Sequence, residues 1–456
     1  MQTHYNMNNE GKRIGLALSG GGYRAAAYHI GTLRALHRLG ILDKVDVISS
    51  VSGGSITAAY YALHQDDFEE FEKSFTTKLK KGVLDTSILR LVCFGIILFL
   101  LIVATILFLI LCSWCWCWKI LVATCFWITI IIGIVWVFLK WQFRLLPLNR
   151  LIMEEYDKYF FAGKTLTDLP DKPVLTINAT EITYNRIFSF SQTKVSGGKF
   201  KEELFMKEKI PLSFAVMASS AFPAGINPVV FPAEYMTEER SEANKPYLID
   251  GGVYDNQGCH KFTEPNSSFK VDYSIISLAE NDKYEYAHYN NSITVLARVI
   301  NLTLNRIDKL QEARNMYATN NSNQRCAYVV LKWNDDLGRI PLRFLQNAQE
   351  GYVPMEVMKY HGFDEEELKV LKDLKEKGNE KKEEASFIFN SYLERVKESI
   401  GWKKLFEERP KPNQVKEAFE VVTFLTGLSD SEIYSLGRFS EWMTEVQCKL
   451  YLPNLL

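Results

Sequence analysis

The feature that most constrains this chain is a pair of long uncharged segments in its first third. The first, residues 91–111, is nearly all Leu, Ile, Val, Phe and Ala, and the second, residues 120–139, is also uncharged. A bilayer core of about 30 Å requires about 20 residues of helix to cross it, and both segments are long enough. Because backbone polar groups in lipid must be paired within the segment, we expect a transmembrane helical hairpin over residues 90–140.

The charges around this hairpin predict its orientation. Its turn is rich in tryptophan, which favours the membrane interface, and carries only Lys119. Basic residues lie outside the pair, at Lys78, Lys80, Lys81, Arg90, Lys140, Arg144 and Arg150. The positive-inside rule therefore predicts an integral membrane protein whose catalytic part faces the cytoplasm, and the compact architecture suggests a bacterial inner membrane. The alternative is two buried core helices of a soluble domain, although apolar runs of this length are rare there.

The composition excludes several other classes of protein. Hydrophobic residues make up 47% of the 456 residues and charged residues 23%, which indicates a folded chain, and the net charge of -1 gives no reason to expect a nucleic-acid partner. Five of the eight cysteines lie in the apolar block, so a disulfide framework is not predicted and a reducing compartment is favoured. The C-x-x-C at Cys112–Cys115 has no second pair or histidine nearby, so we expect no metal and no cofactor.

The remainder of the chain alternates between strand and helix patterns. A strand at Ile14–Leu18 precedes a helix over residues 24–39, and a strand over 45–51 precedes a helix over 55–63. This order is typical of an α/β fold with a parallel sheet. Further buried strands are predicted at residues 174–179, 273–278 and 327–331. We therefore expect a catalytic domain in two parts, 12–85 and 145–340, interrupted by the hairpin and followed by a mostly helical region, 341–456.

Three short motifs carry the chemistry. Ser52 lies between glycines and small residues where the second strand gives way to a helix, as a nucleophile elbow requires, and Gly54 is one of those small neighbours. Gly20, Gly21 and Gly22 follow the first strand at the start of a helix, where free backbone N–H groups favour negative charge. Such donors suit the oxyanion of a tetrahedral intermediate.

The third motif supplies a base without a histidine. Asp250 ends a short apolar run and is followed by two glycines, so its carboxylate is held at a tight turn and could accept the proton of Ser52. His29 and His260 are weaker candidates, and His29 is better explained as a structural residue. A small-residue run, Val216–Pro223, indicates a helix end packed closely against the sheet.

In this order the motifs resemble those of the patatin-like phospholipases. The resemblance includes G-G-G-x-R at 20–24, the serine elbow, the Ala-Ser-x-Ala-x-Pro run and Asp-Gly-Gly, and it is strengthened by Asp168-Leu-Pro170 and Ile177–Thr180. It covers roughly residues 12–64 and 145–280. The fold that it implies is a three-layer sandwich around a central mostly parallel sheet.

The resemblance also implies roles for residues. Ser52 would be the nucleophile and Asp250 the base of a Ser-Asp dyad, Gly20, Gly21 and Gly22 would form the oxyanion hole, and Arg24 would close it. The implied activity is metal-free hydrolysis of acyl esters in membrane phospholipids or lysophospholipids. The apolar character of residues 91–139 predicts that this segment contacts the bilayer. The oligomeric state is left open. One departure is Ser50, where the family usually has glycine, but serine is small enough for the turn to survive.

Two other functions remain open at this point. Gly20-x-Gly22-x-x-Ala25 fits a dinucleotide fingerprint, although the acidic residues near the expected spacing, Asp43 and Asp46, precede the second strand and do not follow it. A catalytically inactive membrane scaffold would keep the fold without the chemistry, and only Ser50 favours it.

Overall fold

A computed structural model describes most of the chain outside the predicted hairpin. The described residues are 12–85, 146–223, 225–237, 245–263, 267–280, 292–317, 325–331, 336–376 and 382–456, with short stretches between 100 and 144. All statements below concern these residues.

Nine strands in the described part of the chain form one sheet. They are β1 (Ile14–Leu18), β2 (Val47–Val51), β3 (Val174–Glu181), β4 (Arg186–Phe190), β5 (Val195–Gly197), β6 (Val229–Val230), β7 (Tyr247–Asp250), β8 (Tyr273–Leu278) and β9 (Arg325–Val330). The order is β5-β4-β3-β2-β1-β8-β9, with β7 paired to β3 and β6 to β7. The five neighbouring strands β3, β2, β1, β8 and β9 are parallel to one another. The other four strands, β4, β5, β6 and β7, pair antiparallel. The prediction of an α/β fold with a mostly parallel central sheet is confirmed.

The helices in the described part of the chain are labelled in chain order. The first ones are α1 (Gly22–Arg38), α2 (Gly53–Leu63), α3 (Phe68–Leu79), α4 (Leu148–Tyr156), α5 (Leu212–Ser219), α6 (Gly252–Asp255), α7 (His260–Thr263) and α8 (Ser292–Tyr317). The helices that follow β9 are α9 (Ile340–Gln349), α10 (Met355–Tyr360), α11 (Glu365–Glu376), α12 (Lys382–Ser399), α13 (Trp402–Glu407), α14 (Pro412–Glu420) and α15 (Asp430–Tyr451).

Hydrophobic residues pack on both faces of the sheet. Leu16 and Leu18 belong to the larger buried cluster, whereas Ala17 between them belongs to a smaller one with Phe262. Because alternate residues of a strand point to opposite faces, the two clusters lie on opposite sides of β1. The sheet is therefore covered on both faces, as expected of a layered α/β fold.

The last long helix packs directly on the first one. A Cβ atom added to Gly31 of α1 would lie 1.9 Å from the carbonyl oxygen of Gly437 in α15, so the two backbones are in contact. Glu441 of α15 forms ion pairs with Arg34 and Arg38 of α1. The C-terminal region thus shares the core of the catalytic part.

Most of the predicted hairpin, residues 90–140, lies outside the described residues. Among the residues that the structure does describe, no helix combines the length and the apolar character needed to cross a bilayer. The stretches described within the two runs are helical, and large apolar side chains such as Leu100, Leu107 and Ile132 are exposed on them. That exposure argues against the alternative of buried core helices, and the transmembrane hairpin itself stays a prediction.

Candidate active site

Ser52 stands at a sharp turn between β2 and α2. Its backbone angles, φ 51° and ψ −120°, are ones that residues with a side chain rarely adopt. The turn is packed against its surroundings through glycines: a Cβ atom on Gly53 would lie 2.0 Å from the carbonyl oxygen of Gly22, and one on Gly54 would lie 2.3 Å from that of Leu18. The elbow that the sequence predicts is present, and it rests directly on the glycine loop.

The sheet register brings the serine and the aspartate together. Both β2 and β7 pair with β3, and they approach it from opposite directions: Val51 lies opposite Asn178, and Asp250 lies opposite the next residue, Ala179. The carboxyl ends of β2 and β7 therefore point at each other. Ser52 and Asp250 are both buried, and the hydroxyl of Ser52 lies close enough to the carboxylate of Asp250 to lower its pKa.

The environment of Asp250 is suited to a base. Burial raises the pKa of the carboxyl group to about 6, and this rise is opposed by the N–H of Gly252, which donates to the carboxylate, and by the nearby hydroxyl of Ser52. The Gly252 N–H lies 2.7 Å from Oδ1. A carboxylate with a pKa near 6 is ionised at neutral pH and binds a proton more tightly than an ordinary aspartate, as general-base catalysis requires.

Three backbone N–H groups beside the dyad are open to a ligand. Among the described residues, nothing accepts a hydrogen bond from the N–H of Gly21, Gly22 or Gly53. Gly20 differs, because its N–H donates to the carbonyl oxygen of Asn256 at 3.1 Å. Open donors at the start of two helices are what an oxyanion requires.

Arg24 reinforces the positive potential of this loop. Its side chain is buried, and a Cβ atom on Gly21 would lie 3.6 Å from Nη2. Nη1 lies 3.5 Å from the carbonyl oxygen of Val421, while Nε has no partner among the described residues. Burial lowers the pKa of the guanidinium to about 10, and Glu280 partly offsets this, so the group stays charged at neutral pH.

A hydroxyl network supports the elbow from below. The N–H of Ser52 donates to Oγ of Ser219 at 2.9 Å, and this hydroxyl donates to the carbonyl oxygen of Asn178 at 2.6 Å. Ser50, at the position where glycine was expected, donates to the carbonyl oxygen of Thr176 at 3.2 Å. The serine at position 50 is therefore accommodated by a hydrogen bond. The small-residue run does more than allow close packing, because its Ser219 also hydrogen-bonds the elbow.

Gly53 and Ser219 are the residues that sequence reasoning missed. The signal for Gly53 was available, since the N–H after the nucleophile commonly belongs to the oxyanion hole. Ser219 had no comparable signal, because its contact with Ser52 depends on how α5 packs against β3. A serine in a small-residue run is more often there for close packing.

The two histidines lie in structural positions. His29 is buried between Ser277, whose hydroxyl is 2.9 Å from Nδ1, and the carbonyl oxygen of Ser19. Burial lowers its pKa to about 4, so the ring is neutral at physiological pH. His260 donates its backbone N–H to Asp255 at 2.6 Å, which helps to fix the loop that carries Asp250.

The geometry does not favour the dinucleotide alternative. Asp46, one candidate for the ribose contact, precedes β2, and its carboxylate accepts from the N–H of Ile14 at 2.9 Å, where β1 begins. A ribose contact requires the opposite, carboxyl end of the second strand.

A search for metal sites concerns the described part of the chain only. Within it, no group of three or more His, Cys, Asp or Glu residues is placed to hold a metal ion.

Comparisons with known proteins agree with the motifs. The family model described as patatin-like phospholipase matches residues 16–262, more than half of the chain. No curated protein matches the sequence.

Two of the solved structures that match this chain are a human and a bacterial protein. Human GIVD cytosolic phospholipase A2 is 15% identical, with 58% of this chain and 42% of that chain covered at a TM-score of 0.35. VipD from Legionella pneumophila is 14% identical over 97% of this chain and 96% of its own, at a TM-score of 0.32. The chain thus spans less than half of the human enzyme, and at these TM-scores neither structure informs the site.

Proposed function

Since this chain belongs to the patatin-like phospholipase family, we propose that it hydrolyses acyl esters of membrane phospholipids or lysophospholipids through a Ser52–Asp250 dyad. The observation that carries the proposal is that the strand register places the Ser52 hydroxyl beside the buried Asp250 carboxylate, next to three open N–H groups. A nucleophile, its base and an oxyanion site in one place are what acyl transfer needs.

The reaction takes place in two halves. Ser52 attacks the ester carbonyl while Asp250 accepts its proton, and the negative charge that forms on the carbonyl oxygen is stabilised by the N–H groups of Gly21, Gly22 and Gly53, with Arg24 behind them. The proton passes from Asp250 to the leaving alcohol, which departs as a lysophospholipid or glycerol derivative. Water then attacks the acyl-enzyme with Asp250 as base, which releases the fatty acid and restores Ser52.

We also propose that residues 91–139 hold the enzyme at its substrate. Described positions in both runs are helical and expose large apolar side chains, which is favourable in lipid and unfavourable in water. The basic residues on both sides of the insert favour a cytoplasmic position for the catalytic part. Protease added to vesicles with the cytoplasmic face outward should digest the catalytic part, whereas vesicles of the opposite orientation should protect it.

Release of free fatty acid from phospholipid vesicles tests the central proposal. We expect release by the parent chain, loss of release in Ser52→Ala and Asp250→Asn, and covalent labelling of the parent but not of Ser52→Ala by a fluorophosphonate. Asp171→Asn, at an exposed position, is the matched control and should behave like the parent. A folded parent that neither releases fatty acid nor takes the label would refute the proposal.

A further inference from the structure

A C-terminal segment covers the glycine loop of the active site. Residues 421–428, which we name the roof segment, connect α14 to α15. The carbonyl oxygen of Phe424 accepts a hydrogen bond from the N–H of Tyr23 at 2.9 Å, and a Cβ atom on Gly22 would lie 2.6 Å from the same oxygen. The roof segment is therefore in backbone contact with the loop that faces Ser52.

The roof segment also holds one end of the apolar insert. The N–H of Leu84 donates to the carbonyl oxygen of Leu425 at 3.1 Å, and the N–H of Gly427 donates to the carboxylate of Asp85 at 3.2 Å. Asp85 is the last residue described before the insert. The residues that precede the insert are therefore hydrogen-bonded to the roof segment.

The other end of the insert is fixed near the base. The side-chain amide of Asn227 donates to the carbonyl oxygens of Phe143 and Leu146, at 3.1 and 3.0 Å, where the chain leaves the insert. Asn227 belongs to the loop that begins after Ala221, and the carbonyl oxygen of Ala221 accepts from the N–H of Asp250 at 2.9 Å. The two ends of the insert are therefore tied to two loops, one bonded to the glycine loop and one to the catalytic aspartate.

Both loops present apolar side chains to the outside. Val422 is 63% exposed and Phe424 is 58% exposed on the roof segment, and Phe222 is exposed on the other loop. Single exposed apolar residues are common on protein surfaces. These residues differ because their loops bond directly to residues that flank the apolar insert, and the same two loops bond to the glycine loop and to Asp250.

We propose that the roof segment contacts the lipid surface through the side chains of Val422 and Phe424, so that substrate reaches Ser52 from the lipid beside it. This inference rests on the proposed lipid hydrolase function. We assign a lipid surface as the partner because the exposed apolar side chains adjoin residues that flank the apolar insert. Removing such side chains from water is favourable. The backbone of the segment supports the glycine loop, while the side chains of Val422 and Phe424 are exposed.

The first test separates binding to lipid from chemistry. In Val422→Ser we expect the KM for phospholipid in mixed micelles to rise about five- to tenfold, the order expected when one apolar contact with lipid is lost. The kcat/KM for a water-soluble short-chain ester should stay within about twofold of the parent. Val370→Ser, at a 39% exposed position on α11, is the matched control and should change neither value. An unchanged micellar KM, or an equal loss on both substrates, would overturn the inference.

The second test does not depend on activity. A benzophenone analogue of phenylalanine replaces Phe424 in the full chain, or as control Phe387, which is 77% exposed on α12. On illumination in phospholipid nanodiscs, we expect a lipid adduct at position 424 and none at position 387. No adduct at 424, or equal adducts at both, would contradict lipid contact. If the parent hydrolyses neither ester, the proposed function fails, and the adduct pattern alone decides the role of the roof segment.

Discussion

The hydroxyl of Ser52 lies beside the carboxylate of Asp250 because two strands that run in opposite directions end against neighbouring residues of β3. The serine follows a parallel strand and the aspartate ends an antiparallel one, so neither side chain has to reach across the sheet. The proximity of this hydroxyl to the carboxylate leaves no place for an intervening imidazole. In the proposed mechanism, Asp250 alone therefore performs the proton transfers that a triad shares between two groups.

Asp250→Asn tests whether this carboxylate is the base. The amide can still accept a hydrogen bond but cannot take a proton at neutral pH, so we expect kcat to fall by about 10²- to 10⁴-fold with little change in KM. Initial rates on a water-soluble ester measure this without interference from the lipid surface. A loss of less than about fivefold would show that another group removes the proton of Ser52.

The pH dependence should report the same carboxyl group. Burial raises the pKa of Asp250 to about 6, so the base form is lost as the pH falls below that value. We expect kcat/KM for a water-soluble ester to decrease about tenfold per pH unit well below pH 6 and to be level above about pH 7. A titration centred near pH 4, the value of an ordinary aspartate, would contradict the buried environment described for this residue.

The raised pKa also predicts a cost in stability. A carboxyl group whose pKa is higher in the folded than in the unfolded chain favours folding when protonated, below about pH 4, and this contribution is lost as the pH rises through about 6. Asp250→Asn removes the buried charge, so we expect the variant to be more stable than the parent at pH 8, by on the order of 1–3 kcal/mol. Denaturant midpoints at pH 8 and pH 5 check this, because the difference should shrink at pH 5.

Local patterns predicted much of this structure. The strands at Ile14–Leu18 and Tyr273–Leu278 were predicted with their observed bounds, since each is a short run of mostly apolar and small residues. Strands β4 and β5 were missed, because they are short and carry polar residues such as Arg186 and Ser189 among the apolar ones. Their pairing depends on the edge of β3 being available, which no local pattern shows.

The candidate site shows the same difference between residues found from local patterns and residues placed by tertiary packing. The residues that lie in motifs, such as Ser52 and Asp250, could be found from their neighbours in sequence. The contact of Phe424 with Tyr23 and that of Ser219 with Ser52 could not, because each joins segments far apart in the chain whose meeting depends on tertiary packing. Motifs identify the reacting groups, whereas their supports are visible only in the folded chain.

Ser219→Ala should show that the elbow depends on its support. The change removes the acceptor of the Ser52 N–H and the donor to the Asn178 carbonyl oxygen, and leaving buried polar groups unpaired costs about 1–3 kcal/mol each. We expect a lower denaturant midpoint and slower labelling of Ser52 by a fluorophosphonate. Ser213→Ala is the matched control, since it removes another buried hydroxyl of helix α5 and leaves the bond between Ser52 and Ser219 in place. Equal labelling rates in the two variants would exclude a positioning role for Ser219.

Gly53→Ala should disrupt the contact between the elbow and the glycine loop. The added methyl group would lie 2.0 Å from the carbonyl oxygen of Gly22, and since both partners are backbone, neither can move without shifting its segment. We expect a destabilisation of about 1–3 kcal/mol or more and loss of esterase activity, because the same shift displaces the N–H groups that face the oxyanion. Gly225→Ala is the control, as its methyl group would find its nearest neighbour at 3.9 Å. A Gly53→Ala chain with parental activity would mean that the oxyanion site does not depend on this contact, and the roles given to Gly22 and Gly53 would have to be withdrawn.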